Sequence, residues 1–202
     1  MEPSVQLYKF HISLQEVKPV IWRRIVIPVK WRLDKVAWTI ILAMGWTNSH
    51  LHEIEHGDSI YVPDLEECDD LNDEIIYEKY TKKRLFELGL NTGDSFNFRY
   101  DFGDGWEHKV TMEGPAEIPA HHKIPRADCL EGARACPPED CGGPGGYEDL
   151  LKTLGDVTHP DHKQMTEWLG KPFDPEFFNL KATKDDLRTY SDCPTLITNP
   201  GF

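Results

Sequence analysis

A chain of 202 residues with 39% hydrophobic content can bury a sizeable core, and a formal net charge of −13 disfavours a surface built to neutralise phosphates. No run approaches the roughly 18 apolar residues of a membrane span, and the opening residues Met1 to Gln6 lack the charged and apolar regions of a secretory signal. A cytoplasmic location is therefore expected, and five cysteines, an odd number, fit reduced thiols better than a disulfide framework.

In chain order, Tyr8, Phe10, Ile12 and Leu14 alternate with polar residues and predict a half-buried strand. Val17-Lys18-Pro19 marks a turn, and Val20 to Ile27 a second strand ended by Pro28. Leu33, Val36, Ala37, Ile40, Ile41 and Met44 recur at helical spacing. Asp34 is the expected N-cap, Leu33 a staple for Trp38, and Gly45 the terminating glycine. Strand, strand, helix is the opening of a β-grasp. The expected class is α+β, a β-grasp-like mixed or antiparallel sheet wrapping one main helix at about 34–44, followed by short C-terminal helices.

From His50 the pattern reads as a strand carrying His50, His52, Ile54 and His56 on one face, then a Gly57-Asp58-Ser59 turn and a strand at Ile60 to Val62. Histidines two apart on a strand have metal-ligand spacing, while a face shared with Ile54 favours core or rim histidines bonded to backbone. Residues 63–80 read as an acidic, mobile insertion, and Lys83 to Leu90 as a short helical turn.

Arg99 to His108 is the most informative stretch. Phe96, Phe98, Tyr100 and Phe102 precede a Gly103-Asp104-Gly105 punctuator, and Trp106, His108, Val110 and Met112 follow it. A hairpin with a three-residue loop pairs Phe102 with Trp106, Tyr100 with His108, Phe98 with Val110 and Phe96 with Met112, giving one apolar face. On the other face Asp101 then lies opposite Glu107 and Arg99 opposite Lys109, with Asp104 at the tip. Two accounts stand: diagonal ion pairs on a solvated face, or carboxylates gathered for a cation or a basic partner.

Beyond Pro115 a loop-rich stretch holds Cys129, Cys136 and Cys141 at spacings of seven and five residues, without paired knuckles. With His121 or His122 they form a weak alternative zinc set beside free thiols. The glycine run before Tyr147 lacks the Lys-Ser/Thr ending of a phosphate cradle, and Glu139-Asp140 would repel phosphate. Helices are expected at Tyr147 to Leu154, at Pro160 to Leu169, and after a Thr183 to Asp186 capping box, with 191–202 a loosely attached tail. One domain is expected over 1–190, its β-grasp part at about 6–115 and its loop and helical part at 116–190.

Several blocks together carry a resemblance: Ile21 to Ile25 (IWRRI), Ala43 to Glu53 (AMGWTNSHLHE), Tyr100 to His108 (YDFGDGWEH), Gly132 to Gly143 with Gly146-Tyr147, and Trp168 to Asp174 (WLGKPFD). In unbroken order over about 6–180, the chain resembles the plasmid ORF-3-like proteins of the pRiA type. The resemblance implies a family without an established activity, set among mobile genetic elements, and so a nucleic-acid context that the net charge disfavours. Two functions follow. The first is a cytoplasmic binding module with a protein partner and no membrane. Its candidate site is His50, His52, Asp101, Asp104, Trp106, Glu107 and His108. The alternative is a metal-dependent hydrolase or nuclease using the His, Asp and Glu residues of that set. A divalent ion would fall to His50, His52, Asp104 and His108, or to Cys129, Cys136 and Cys141. No cofactor is required by the sequence, and no nucleophile, base and orienting group are recognisable as a set.

Overall fold

The computed structural model describes residues 6–65, 75–117 and 126–192. Alternating side chains build β1 (Gln6–Leu14) and β2 (Trp22–Pro28), joined through Lys18-Pro19. The helical repeat gives α1 (Leu33–Met44), stopped at Gly45, whose φ of 115° suits glycine alone among common residues. Arg32, not Asp34, is the N-cap. Asp34 sits in the first turn, where its carboxylate accepts the Lys35 N–H at 2.8 Å and pairs with Arg32, an anion at the positive end of the helix.

Next come β3 (His52–His56), β4 (Ser59–Val62) and β5 (Ile76–Lys79), then 3-10 turns at Tyr80–Lys82 and Leu85–Leu88. The central hairpin is β6 (Ser95–Tyr100) and β7 (Trp106–Glu117). β8 (Asp128–Ala133), α2 (Gly143–Gly155), α3 (His162–Leu169) and α4 (Leu180–Asp192) complete the order. All eight strands form one sheet in the order β5-β4-β3-β6-β7-β1-β2-β8, antiparallel throughout except where β5 runs parallel to β4.

The α+β class is as expected, but the architecture is broader than a sheet around one helix. α1 covers one face, α4 packs on both α1 and β8, and α2 packs with α3. The core between sheet and α1 is built from Phe10, Ile12, Ile25, Ile54, Phe96, Phe98 and Val110 against Val36, Ile40 and Ile41, all at most 2% exposed. Each such side chain contributes about 1.5–3 kcal/mol on burial.

Three further expectations change. Residues 63–80 are not all insertion: Ile76–Lys79 forms an edge strand, while 66–74 fall outside the described residues. The stretch read as loop from Cys129 contains β8. Its signal is weak because only Cys129 faces inward and Gly132 must stay bare: a Cβ there would stand 2.8 Å from the Arg23 side chain and from Phe178. α4 starts earlier than its expected box. Asn179 caps it, accepting the Ala182 N–H at 3.0 Å, so Thr183 lies inside the helix. The tail from 193 and both His121 and His122 fall outside the described residues.

Arg23 ties the layers together. It is 1% exposed, and its guanidinium lies 4.0 Å above the Phe178 ring. It donates to the carbonyls of Ala43 and Met44 at the end of α1, and to those of Trp22 and Ala133. A cation thus closes the negative end of the helix from inside the protein.

Candidate functional site

The hairpin register differs from the expected one by two residues. Tyr100 pairs with Trp106, Phe98 with His108 and Phe96 with Val110. A slip of two keeps every side chain on its own face, so the apolar face survives. The cause is Asp101, which leaves the strand with φ 57°. Its Oδ1 accepts the N–H groups of Gly103 (3.0 Å) and Asp104 (3.2 Å), and its carbonyl accepts the Gly105 N–H. A self-bonding aspartate therefore makes the loop five residues long, 101–105. Phe102 is turned out of the core, its ring 5.0 Å from the Arg99 guanidinium. On the outer face Arg99 lies directly opposite Glu107, 3.3 Å away, so the ion pair is made across the ladder rather than on the diagonal.

Folding separates the sequence-expected site residues into three groups. His52, Trp106 and His108 belong to the core. His52 stacks on Tyr80 and bonds its hydroxyl at 2.9 Å, and His108 bonds the Phe98 carbonyl at 3.0 Å. Burial pushes both rings down to about 4, so at neutral pH each is uncharged. Glu107 points to the opposite face, where burial raises its carboxyl. His50, Asp101 and Asp104 remain together at the tip.

A segment not singled out by spacing joins them. The turn before α2 brings Glu139 and Asp140 against the hairpin. His50 Nδ1 lies 3.5 Å from Asp101 Oδ2, and His50 Nε2 lies 3.6 Å from Glu139 Oε2 and 3.4 Å from Asp140 Oδ1. Glu139 is held by the Thr47 N–H (3.0 Å), the Thr47 hydroxyl (3.1 Å) and the Tyr100 hydroxyl (3.0 Å). Tyr100 in turn stacks on Trp46, whose indole N–H donates to the Pro137 carbonyl. Asp104 clasps the same turn, accepting the Gly142 N–H at 3.1 Å. Gly143 is packed so tightly that a Cβ would come 2.3 Å from the Asp104 carbonyl oxygen. Glu139 and Asp140 lie more than thirty positions beyond Asp104, and their only sequence signal is a carboxylate pair beside a glycine-rich turn.

Among the described residues, His50, Asp101 and Asp140 offer ligand atoms that all lie within 4.8 Å of one another. Cys129, Cys136 and Cys141 are free and make no such group. Burial raises their thiols, to about 11 for Cys129, to about 12 for Cys141, and well above the ordinary value for Cys136. Such groups are poor nucleophiles and poor ligands at neutral pH.

Two clefts open beside the tip. One, of about 460 Å³, runs between α2 and α3 and is lined by Asp140, Asp149, Asp161, Leu150, Met165 and Trp168, with no Lys or Arg. The other, of about 810 Å³, lies between the end of α1 and the segment around α3 and α4, with Trp46, Glu139, Trp168, Phe173, Phe177 and Phe178 in its walls. Trp168 stands 47% exposed on the ridge between them, and Phe177 is 60% exposed. α3 itself buries no residue.

The relatives share this frame. An uncharacterized protein, y4hQ, of Sinorhizobium fredii is 36% identical over 187 residues, covering 89% of this chain and 91% of that one. The crystal structure of MM3350, a protein of unknown function from Methanosarcina mazei Go1, superposes with a TM-score of 0.73 at 30% identity, over 87% of this chain and 96% of that one. The family model for the plasmid pRiA4b ORF-3-like protein matches residues 6–182, and the chain belongs to that family.

Proposed function

We propose that the chain is a non-catalytic binding module of the cytoplasm. Its contact surface is the hairpin tip with the turn before α2 and the cleft behind it, and its partner is a basic polypeptide segment. The observation that carries this reading is the wall of the 460 Å³ cleft. Asp140, Asp149 and Asp161 line it together with Leu150, Met165 and the half-exposed Trp168, and no cation faces them from within. Lys152 meets Asp149 at 3.2 Å from the helix surface outside. Carboxylates around an indole and a thioether suit a lysine or arginine side chain, whose alkyl stem packs while its head is paired. Leu51 and Phe102 extend the apolar part of the surface on the hairpin side.

A hydrolytic reading is less well supported. The described thiols are held protonated by burial, and the rings of His52 and His108 are enclosed. Nothing among the described residues at the tip lines up a nucleophile, a base and an orienting group.

Fluorescence anisotropy with a short labelled peptide alternating Arg and Leu, and with its Glu-for-Arg counterpart, tests the proposal in the presence of EDTA. The basic peptide is expected to bind with salt-sensitive affinity, and Asp140→Asn, Asp149→Asn and Asp161→Asn combined to weaken it about tenfold or more. Equal affinity for both peptides, or indifference to the triple substitution, refutes the reading.

A further inference from the structure

We infer that the chain associates with itself head to tail, a basic ribbon at the start of α1 in one copy docking into the acidic cleft between α2 and α3 of the next. The inference rests on the peptide-binding reading and assigns a second copy of this chain as its partner. Folding builds the ribbon from two segments far apart in sequence. Residues 29–33 and 83–86 run antiparallel, with the Leu33 N–H on the Lys83 carbonyl (3.0 Å), the Leu85 N–H on the Trp31 carbonyl (2.8 Å), and Arg32 opposite Arg84. Leu33 and Leu85 are fully buried, so the alternation turns Arg32 and Arg84 outward. Lys30, Lys82 and Phe86 stand exposed beside them. The Arg84 guanidinium donates to the Lys30 carbonyl at 2.7 Å, which fixes its planar fork across the ribbon.

Like charges set opposite each other repel, and little here relieves them. Asp34 pairs with Arg32, and Glu87 accepts the Arg84 backbone N–H at 2.7 Å. Lys30, Lys35, Lys82, Lys83 and Arg84 make no ion pair with any described residue. Lys35 and Lys83 lie instead over the rings of Trp31 (5.3 Å) and Tyr61 (5.8 Å). A chain of net charge −13 thus leaves one cluster of cations unmatched. The cleft is its converse: Asp140, Asp149 and Asp161 beside Met165 and Trp168, with no Lys or Arg in the walls. Lys30 and Lys82 have the reach to pair those carboxylates, and Phe86 suits the indole and the thioether. α1 keeps the two surfaces of one chain apart. It is 12 residues long, about 18 Å at 1.5 Å per residue, with the ribbon before its first turn. At its far end a Cβ on Gly45 would stand 3.6 Å from Cys136, in the segment that leads to α2 and the cleft. Each copy therefore offers its ribbon to one neighbour and its cleft to another, a heterologous contact that adds copies at either end. The contact is small and charged, so association is weak and salt-sensitive.

The test is sedimentation velocity, up to millimolar protein, on wild type and two variants. The ribbon variant combines Lys30→Glu with Lys82→Glu. The cleft variant combines Asp140→Asn, Asp149→Asn and Asp161→Asn. All five residues are exposed, so both variants are expected to fold, and circular dichroism checks that they do. The sedimentation coefficient of wild type is expected to rise with concentration, and the rise to vanish in molar salt. Each variant alone is expected to stay monomeric. Mixed in equal amounts, the two are expected to form a dimer and nothing larger, because one supplies only a cleft and the other only a ribbon. Wild type that stays monomeric throughout, association that survives in either variant, or a mixture that stays monomeric each overturns the inference. The Arg-Leu peptide keeps the two readings distinguishable. If it binds while wild type remains monomeric, self-association alone is refuted; if neither the peptide nor a second copy binds, the peptide-binding reading falls too.

Discussion

Replacing Gly143 by alanine strikes the clasp between the hairpin tip and α2. Gly143 has φ 68°, and a Cβ built on it stands 2.3 Å from the Asp104 carbonyl oxygen, about 1 Å inside ordinary contact. The left-handed conformation costs a non-glycine residue about 1 kcal/mol. The clash falls on backbone at both ends, so no side chain can swing away, and overpacking of this kind costs about 1–3 kcal/mol. Gly143→Ala is therefore expected to destabilise by ~2–4 kcal/mol. It should also pull the Gly142 N–H from the Asp104 carboxylate. Two positions along, a methyl group at Gly145 would meet nothing within 4 Å, and the backbone there has an ordinary φ. Gly145→Ala is thus expected to be neutral, or stabilising by up to about 1 kcal/mol through loss of unfolded-state freedom. Urea unfolding of the pair, read as the midpoint shift at constant slope, is the assay. A Gly143→Ala midpoint equivalent to less than about 0.5 kcal/mol, the range of featureless surface sites, refutes the close approach.

Arg23→Met should cost about 3 kcal/mol or more, because the carbonyls of Ala43, Met44 and Ala133 lose their donor in a buried setting; urea unfolding within about 1 kcal/mol of wild type would contradict this. Stability should fall as pH drops from about 6.5 towards 4. His52 and His108 are held down to about 4 in the folded state, so the unfolded chain binds more protons across that window. Each displacement from 6.5 corresponds to ~3 kcal/mol at most. Glu53 and Glu107, whose carboxyls burial raises, act in the opposite sense, so the informative quantity is the flattening of the profile in His52→Gln and His108→Gln. Cys129, Cys136 and Cys141 should react slowly with iodoacetamide in the native protein at about pH 8. Thiol titration after unfolding without reductant should find all five cysteines free, and three or fewer would mean a disulfide.

How far the sequence reaches depends on how local each determinant is. α1 is legible because periodicity and Gly45 sit within one window, and β1 because Phe10, Ile12 and Leu14 alternate cleanly. The faces of the central hairpin follow from alternation too, but its register does not. Asp101 bonds its own loop instead of the ladder, a choice that alternation does not encode. β8 stays hidden because its inward side is one cysteine and a glycine that must make room for Arg23. At the site, His50, Asp101 and Asp104 are recognisable as chemistry-bearing residues near a tip. His52 and His108 look equivalent to His50 in sequence, but they lie on β3 and β7 and face the core, where Tyr80 and the Phe98 carbonyl satisfy them, whereas β3 begins only at His52 and leaves His50 outside the ladder. Glu139 and Asp140 stand out in the sequence only as a bar to phosphate, because only the folding of the turn before α2 onto the hairpin brings them to His50.

The most direct test of the binding surface is an NMR titration of ¹⁵N-labelled protein with the Arg-Leu peptide in EDTA. The account predicts shift changes concentrated at 47–51, 101–105, 137–149 and 161–168, with Trp168 among the largest. Changes confined to the outer face of the sheet around Lys9, His11, Trp22 and Arg24, or none at saturating peptide, would contradict it.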